Sequence, residues 1–454
     1  MITEKIATFV TNQNYKTLPQ HVIEMTKRCI LDYIGNTIAG SQTKVGKMVS
    51  EYINNSANLG SSTAIGIGKR LIEKAAFANS VMSRTLDLDD GHRFSMGHPG
   101  TVIISTALSI GESNNMNGKE IITAIVIGYD IYIRLGRAIN PSSLKDRGLD
   151  ATCTCGTLAA AAVADKLYGL NKKEIINSLG IAGSQPGGLY ECLTNDSMPK
   201  ILFPGWAVFI GINSSYLAKK GFTGPGTIIE GDKGFCQAVS QDYYLNRITK
   251  DIGNTFFINS VYFKKYACMR GLHAGIDALI ILKSKYLLHK GNVEKIVVRT
   301  SSFVKQYDNY KPSTLVAAQA SMPFCLSVAL LKGKVTLNDM LDGLKDSNVY
   351  DLARKVYLKL DLSIERYTEN NPSEWATAEL DVYLKNKSLY SQRISIPKGE
   401  PEFPYTNEEL IDKFNSLTMN LPKQRKEYIV NMINKFELLD SIRPLLSHLE
   451  KISI

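Results

Sequence analysis

The sequence predicts a mainly α-helical protein in which an α+β part is inserted into a discontinuous, all-helical domain. Three observations predict this class. Apolar residues recur at helical spacing from residue 1 to about 260, strand-like alternation begins only after about residue 290, and helical spacing returns after Pro404. We therefore expect a helical domain made of residues 1–260 and 400–454, and an α+β lid domain made of residues 265–395.

Within the N-terminal part, Val22–Ala39 carries apolar residues at helical spacing and ends at Gly40. Asn117 and Asn171 are each followed three residues later by Glu and then by an apolar run, which predicts two capping boxes. The segment Gly156–Ala164 consists almost entirely of small residues, so we expect a close helix–helix crossing there.

The α+β part is predicted from alternation. Three segments alternate as strands do, namely Val293–Ser301, Ala378–Leu384 and Tyr390–Ile396, and the last two are joined by a hairpin connection at Lys385–Leu389. Helices are predicted at Gln319–Leu331, after a cap formed by Thr336 with Asp339, after a cap formed by Thr406 with Glu409, and along the amphipathic stretch Ile411–Leu449.

Composition places the chain among ordinary globular proteins. Of its 454 residues 44% are apolar and 21% charged, the N-terminus is too polar for a signal peptide, and the seven cysteines are scattered. We expect reduced thiols and a cytoplasmic location, with no membrane partner. The net charge of +10 is spread along the chain without a nucleic-acid signature, so we expect no nucleic-acid partner. A modest positive field suits small anions.

The most informative stretch is Thr85–Gly100, which lies between the apolar segments Ala75–Met82 and Val102–Ile110. It contains six ionisable side chains in a dozen positions: Asp87, Asp89, Asp90, His92, Arg93 and His98. An Asp can orient an imidazole whose pKa lies near neutral pH, so the cluster suits proton transfer. A solvated turn and a metal site are the alternatives. The spacing departs from a calcium loop, and we predict no metal.

Two further stretches carry cations. Lys200 precedes an apolar helix and could hold a carboxylate, although a surface lysine with a buried stem fits the same pattern. The stretch Tyr262–His273 contains Lys264, Arg270 and His273 beside apolar groups. Half-buried cations need anions, which a substrate or the protein's own carboxylates could supply. No nucleotide-binding pattern occurs beyond the lone Gly66-Ile-Gly68.

Seven motifs together resemble the MmgE/PrpD family, which includes 2-methylcitrate dehydratase, cis-aconitate decarboxylase and iminodisuccinate epimerase. The motifs are LDYIGNTIAGS (31–41), AFANSVMSRTLDLDDGHRFSMGHPG (76–100), CGTLAAAAVADKLYGL (155–170), SLGIAGSQPGGL (178–189), KILFPGWA (200–207), GFTGP (221–225) and FKKYACMRGLHAGIDA (263–278). The likeness runs from about residue 5 to about residue 440.

This resemblance implies a cofactor-independent enzyme, a homodimer, and a site between a helical domain and an α+β lid. Its catalytic positions fall on Asp87, His98, Lys200 and Lys264. Around them we predict the following substrate-binding residues: Asp90, His92, Arg93, Asp150, Thr152, Arg270 and His273.

The predicted function is that of a lyase acting on a di- or tricarboxylate, with dehydration of a 2-methylcitrate-like hydroxy acid favoured. Decarboxylation of a cis-aconitate-like acid and epimerisation of an iminodisuccinate-like acid need the same groups. A non-catalytic carboxylate-binding protein is the remaining alternative. It is favoured by departures from the family pattern at Asp150, Phe203 and Phe324, and opposed by retention of the four catalytic positions.

Overall fold

The structure is a computed structural model that describes residues 1–54, 60–193 and 197–452. Its first part is helical and contains one short hairpin. The elements are α1 (Ile2–Asn12), α2 (Gln20–Ser41), α3 (Lys44–Asn54), β1 (Ser62–Ala64), β2 (Gly68–Arg70), α4 (Ile72–Arg84), α5 (Pro99–Ser113), α6 (Gly118–Ile139), α7 (Ser142–Arg147), α8 (Ala151–Tyr168), α9 (Lys172–Gly183), α10 (Pro199–Lys219), α11 (Phe235–Val239) and α12 (Asn246–Thr249).

Helix α8 lies at the centre of this part and packs against α5, α6, α9 and α10. Small residues allow the close approach: a Cβ atom on Gly156 would lie 3.0 Å from the Cβ of Ala207, and one on Gly211 would lie 2.4 Å from the Cβ of Ala160. The predicted close crossing is confirmed. Among the described residues α10 alone is long and apolar enough to cross a membrane, but 61% of its most apolar window is buried inside the protein, as in a core helix.

The second part is built on a four-stranded sheet. Its elements are α13 (His273–Tyr286), β3 (Val293–Thr300), α14 (Ser302–Lys305), α15 (Leu315–Gln319), α16 (Met322–Lys332), α17 (Leu337–Gly343), α18 (Ser347–Ala353), β4 (Val356–Leu360), α19 (Leu362–Asn370), β5 (Ala378–Leu384) and β6 (Leu389–Ile394). The strand order is β4-β3-β5-β6; β3 pairs in parallel with β4, and the other pairs are antiparallel. Helix α13 packs on this sheet and against α16.

Three helices then return to the first part: α20 (Asn407–Leu417), α21 (Lys423–Asn434) and α22 (Arg443–Ser447). Helix α20 packs against α2, where a Cβ atom on Gly35 would lie 3.2 Å from the Phe414 ring. We call the buried cluster that contains residues 6–263 and 405–452 the helical core, and the one that contains residues 266–384 the second core. The predicted fold class, mainly α with an α+β part, is confirmed.

The chain passes between the two cores twice, and the two crossings lie side by side. The N–H of Phe263 in the first crossing donates to the carbonyl of Gly399 in the second at 3.0 Å. Gly399 has φ +97°, and a Cβ atom there would lie 2.0 Å from the Phe263 oxygen. Tyr262 pairs with Gly91 through two backbone hydrogen bonds of 3.1 and 2.8 Å. This pairing holds the first crossing against the acidic stretch that follows α4.

Local predictions hold best where a cap defines them. All four capping boxes are confirmed, at Asn117, Asn171, Thr336 and Thr406. The predicted helix Gln319–Leu331 is wrong as a single element, because Ser321 caps a new helix by accepting the N–H of Phe324 at 3.1 Å.

Two further features add detail to these predictions. The amphipathic stretch Ile411–Leu449 is helical and is divided among three helices; Pro422, which has no N–H to donate, marks the start of α21. The hairpin β1–β2 was not predicted. It turns through Gly66 (φ +76°) and Gly68 (φ +112°), the two glycines of the lone GxG.

Candidate active site

The acidic stretch connects α4 to α5, and its three aspartates are buried. Arg84, in the last turn of α4, supplies their first counter-charge. Its Nη1 donates to Asp87 Oδ1 and, at 2.9 Å, to Asp89 Oδ1. Asp87 has φ +53°, a left-handed conformation that turns the chain back toward the guanidinium.

Lys264 supplies the second counter-charge from the first crossing. Its side chain is 1% exposed, and its Nζ donates to Asp87 Oδ1 at 2.8 Å. Burial would raise the pKa of Asp87, but the Lys264 and Arg84 cations hold that pKa well below its ordinary value. The same balance, with Arg84 as the main cation, lowers the pKa of Asp89 to about 2. Two buried carboxylates and two buried cations thus form a balanced cluster.

His98 stands at the start of α5, beside this cluster. Its Nδ1 lies 2.8 Å from the main-chain oxygen of Asp90 and 3.1 Å from Asp89 Oδ2. Both neighbours are acceptors, so the ring proton belongs on Nδ1, and a neutral ring carries its lone pair on Nε2. Within the described part of the chain, Nε2 has no hydrogen-bond partner. Burial and Arg84 lower the pKa of His98, while Asp89 opposes them.

A narrow crevice with a volume of about 10 Å³, roughly the room of one water molecule, adjoins the cluster. Its walls come from both cores: Arg84, Thr85, Asp87, Lys200, Ile201, Met269, Val316 and Gln319. Asp87 Oδ2 is buried and accepts no hydrogen bond from the described residues. Lys200, in the first turn of α10, has no ion-pair partner among those residues. Its charge and the positive end of the helix are therefore available to an anion in the crevice.

Asp90, Asp150 and Thr152 lie close to His98 but are held by the protein itself. Asp90 Oδ1 accepts the N–H of Gly100 at 3.0 Å, and its Oδ2 accepts the Tyr129 hydroxyl proton at 2.6 Å. Asp150 caps α8 by accepting the N–H of Thr152 at 2.7 Å. The Thr152 hydroxyl in turn accepts the backbone N–H of His98 at 3.3 Å.

The structure directs two predicted cations toward protein carboxylates. Glu400 is buried and accepts from Arg93 Nη1 at 3.0 Å and from Arg270 Nε at 2.8 Å. Arg93 also pairs with Glu402. Pairing with the protein's own carboxylates is the alternative that the sequence left open for the cations of the stretch Tyr262–His273. Their substrate-binding role stays a prediction to which this geometry lends no support.

The two remaining predicted histidines are also engaged. His92 Nδ1 accepts the N–H of Ser95 at 3.0 Å, and burial lowers the pKa of His92 to about 3. His273 Nδ1 accepts from Arg270 Nη1 at 3.0 Å, and burial holds its pKa well below the ordinary value. Both rings are neutral structural groups in this arrangement.

Sequence reasoning missed Arg84 and Glu400. A charged residue at the end of the uncharged, buried run 75–83 was a signal for the first, because a buried guanidinium needs carboxylates nearby. No local signal marked Glu400, which lies in a polar connection and gains its partners only through the two crossings.

Comparison with known proteins bears on the same residues. The model of the MmgE/PrpD N-terminal domain matches residues 4–247, and the model of the C-terminal domain matches residues 266–438. The chain belongs to the MmgE/PrpD family. Both models include parts of the site, since Asp87, His98 and Lys200 lie in the first match and Met269 and Gln319 in the second.

Several relatives match over almost their whole length. The cis-aconitate decarboxylase of Aspergillus terreus is 24% identical over 471 residues, which cover 98% of this chain and 95% of the relative. The human cis-aconitate decarboxylase is 25% identical over 461 residues, which cover 97% of this chain and 92% of the relative. The cis-aconitate decarboxylase-like protein oryM of Aspergillus oryzae is 24% identical over 475 residues, covering 98% and 96%. These likenesses support a lyase of the family. The relatives are named as decarboxylases, so they do not support the preference for dehydration.

Proposed function

We propose that this protein is a lyase that acts on a small di- or tricarboxylate, with decarboxylation of a cis-aconitate-like acid as its reaction. The relatives named above support decarboxylation ahead of the dehydration that the sequence analysis favoured. One observation carries the enzymatic proposal. A neutral imidazole, whose Nε2 accepts no hydrogen bond from the described residues, stands beside a buried, charge-balanced cluster.

His98 is the proposed proton-transfer group. Lyases of this kind take a proton from, or deliver one to, a carbon beside a carboxylate. An imidazole whose pKa is lowered by burial and by Arg84 is neutral at pH 7 and accepts a proton at Nε2. The charge that then appears on the ring is stabilised by Asp89, whose Oδ2 lies 3.1 Å from Nδ1.

Lys200 is the proposed carboxylate-binding group, because it lies in the crevice wall and has no ion-pair partner among the described residues. With the crevice opened, a carboxylate held there would lie near Arg84 and Asp87, the other charged groups of the crevice wall. Lys264 and Arg84 prevent Asp87 from gaining a proton, so the cluster keeps its charge pattern when an anion enters. Met269, Val316 and Gln319 would close the crevice from the second core.

We further propose that the two cores act as a helical domain and a lid. Gln319 Nε2 donates to the Leu86 carbonyl at 3.0 Å, which attaches the second core to the acidic stretch. Movement about the two crossings would open this contact and admit substrate.

We also propose a homodimer, as the resemblance implied. Trp206, Phe209 and Tyr216 form an exposed aromatic row along α10, and Tyr52 of α3 extends it through Phe77. Exposed apolar side chains that lie together in this way are typical of an interface. The cytoplasmic location stays a prediction, which the seven free cysteines of the described residues support.

The test is incubation of the purified protein with citrate, 2-methylcitrate, cis-aconitate and iminodisuccinate, followed by NMR. Loss of carbon dioxide from cis-aconitate is the expected result. Loss of water from 2-methylcitrate would establish a dehydratase instead, and interconversion of iminodisuccinate diastereomers an epimerase. Binding without turnover of any compound would indicate a non-catalytic protein.

The variant His98→Gln tests the assigned role on whichever substrate reacts. We expect turnover to fall by roughly 10²–10⁴-fold, the usual contribution of a positioned acid or base. His289→Gln is the matched control, because His289 is exposed and bonds only within its own turn. Equal activity of the two variants would remove His98 from the mechanism.

A further inference from the structure

Asp90 is the one aspartate of the acidic stretch whose carboxyl group contacts no cation among the described residues. It points away from the crevice and into the helical core, where it contacts Gly100 and Tyr129. Asp90 is 4% exposed and Tyr129 is fully buried, so neither side chain can reach a substrate. A role in binding substrate therefore does not fit Asp90, although its main-chain carbonyl contacts His98 directly.

Three fixed points converge on this residue. Oδ1 accepts from the Gly100 N–H at 3.0 Å, Oδ2 accepts from the Tyr129 hydroxyl at 2.6 Å, and the main-chain oxygen accepts from His98 Nδ1 at 2.8 Å. Gly100 makes the convergence possible, because a Cβ atom there would lie 2.5 Å from Asp90 Oδ1 and 2.6 Å from the Tyr129 hydroxyl. The carboxyl group thus ties the start of α5, which carries His98, to α6, which carries Tyr129.

We propose that Asp90 and Tyr129 are positioning residues that hold the His98 imidazole with its proton on Nδ1 and its lone pair on Nε2. Tyr129 and Gly100 anchor the Asp90 side chain, and the anchored residue presents its main-chain oxygen to Nδ1. A histidine with the opposite tautomer would carry its N–H on Nε2 and could not accept a proton at that atom. The proposal rests on the proposed function only in naming His98 as the base.

Different sets of charged groups surround the His98 imidazole and the Asp90 carboxyl group. Arg84, Asp89 and Lys264 are the charged groups that act on His98, while Asp32 and Asp89 are those that act on Asp90. Burial raises the pKa of Asp90 to about 8, so an uncharged amide is a close mimic of this side chain at neutral pH. Asn at position 90 would keep an oxygen for the Gly100 N–H, whereas Ala would not.

The test is ¹⁵N NMR of the imidazole nitrogens in the full-length, substrate-free protein. The chain has six histidines, and the spectrum of His98→Gln assigns the resonances of His98. In the wild type we expect a protonated Nδ1 and an unprotonated Nε2. In Tyr129→Phe and in Asp90→Ala we expect averaged signals from a mixture of tautomers, together with a fall in turnover of about 10-fold. Asp90→Asn should retain the wild-type signals.

Tyr33→Phe is the matched control, because it removes another buried hydroxyl of the helical core, one bonded to Ser105 at 2.7 Å. Its spectrum should equal that of the wild type. Unchanged His98 signals in Tyr129→Phe would overturn the proposal, as would equal changes in Tyr33→Phe. Because the spectrum needs no substrate, a failure of the proposed reaction would leave this result intact and distinguishable.

Discussion

Replacement of Lys264 by Met tests whether the buried cluster is held together by charge balance. In the wild type, the carboxylates of Asp87 and Asp89 are balanced by the cations of Arg84 and Lys264. The variant leaves one buried negative charge in excess. Removing one partner of a buried pair costs roughly 3–5 kcal/mol of unfolding free energy, and since Arg84 still donates to Asp87 we expect about 3 kcal/mol.

The pH dependence of this loss follows from Asp87. Without Lys264 the pKa of Asp87 rises, because burial is then opposed mainly by Arg84. Once that pKa exceeds the unfolded value, the folded state binds more protons than the unfolded state, and the stability of the variant increases as the pH falls. The difference in the free energy of unfolding between variant and wild type is therefore largest near pH 7 and becomes smaller toward pH 4.

Urea denaturation measures both effects. Lys265→Met is the neighbouring control, because Lys265 is 41% exposed, pairs with Asp277 at 3.0 Å, and should cost about 0–1 kcal/mol. In the double variant Lys264→Met/Asp87→Asn the charges balance again, so most of the loss should be recovered. A loss equal to that of Lys265→Met, or a double variant less stable than the single one, would refute the reasoning.

Three further predictions concern the site, the crossings and the assembly. The acid limb of the kcat/KM profile should lie below pH of about 6.5, because the pKa of His98 is lowered and its protonation blocks Nε2; a limb at higher pH would contradict this. Glu400→Gln should lower the free energy of unfolding by roughly 3–5 kcal/mol, since it leaves the buried Arg270 without a carboxylate while Arg93 keeps Glu402, whereas Glu402→Gln should cost about 0–1 kcal/mol in the same urea titration. Trp206→Glu combined with Phe209→Glu should yield a monomer by light scattering, and a wild type that is itself monomeric would rule out the proposed dimer.

Much of the fold could be predicted because local signals define its elements. Asn117 and Thr406 each cap a helix, and the partner of each cap lies three residues further on. A short window of sequence therefore contains the whole capping box. The strand Val356–Leu360 was not predicted, since three of its five residues are exposed at one edge of the sheet and its pairing partner lies 60 residues away. Its identity as a strand depends on that partner more than on its own pattern.

In the candidate site, too, the features with a local sequence signal could be predicted and those that depend on distant residues could not. The acidic stretch was recognisable because its ionisable groups are crowded between two apolar helices. The contact between Lys264 and Asp87 spans 177 residues and depends on the backbone pairing of Tyr262 with Gly91, which no spacing reveals. The pairing of Arg270 with Glu400 spans 130 residues, and nothing local distinguishes a protein carboxylate from a substrate carboxylate as the partner.

The order of the two cores along the chain has a consequence for synthesis. The second core uses one continuous stretch, so all of its strands and helices have left the ribosome before α20 appears. The helical core needs both α2 and α20, whose contact at Gly35 and Phe414 joins residues almost 400 positions apart. The apolar surface of α2 is therefore not covered by α20 until the whole of the second core has been translated. A chaperone that shields α2 during this interval would raise the yield of folded protein without altering its final stability.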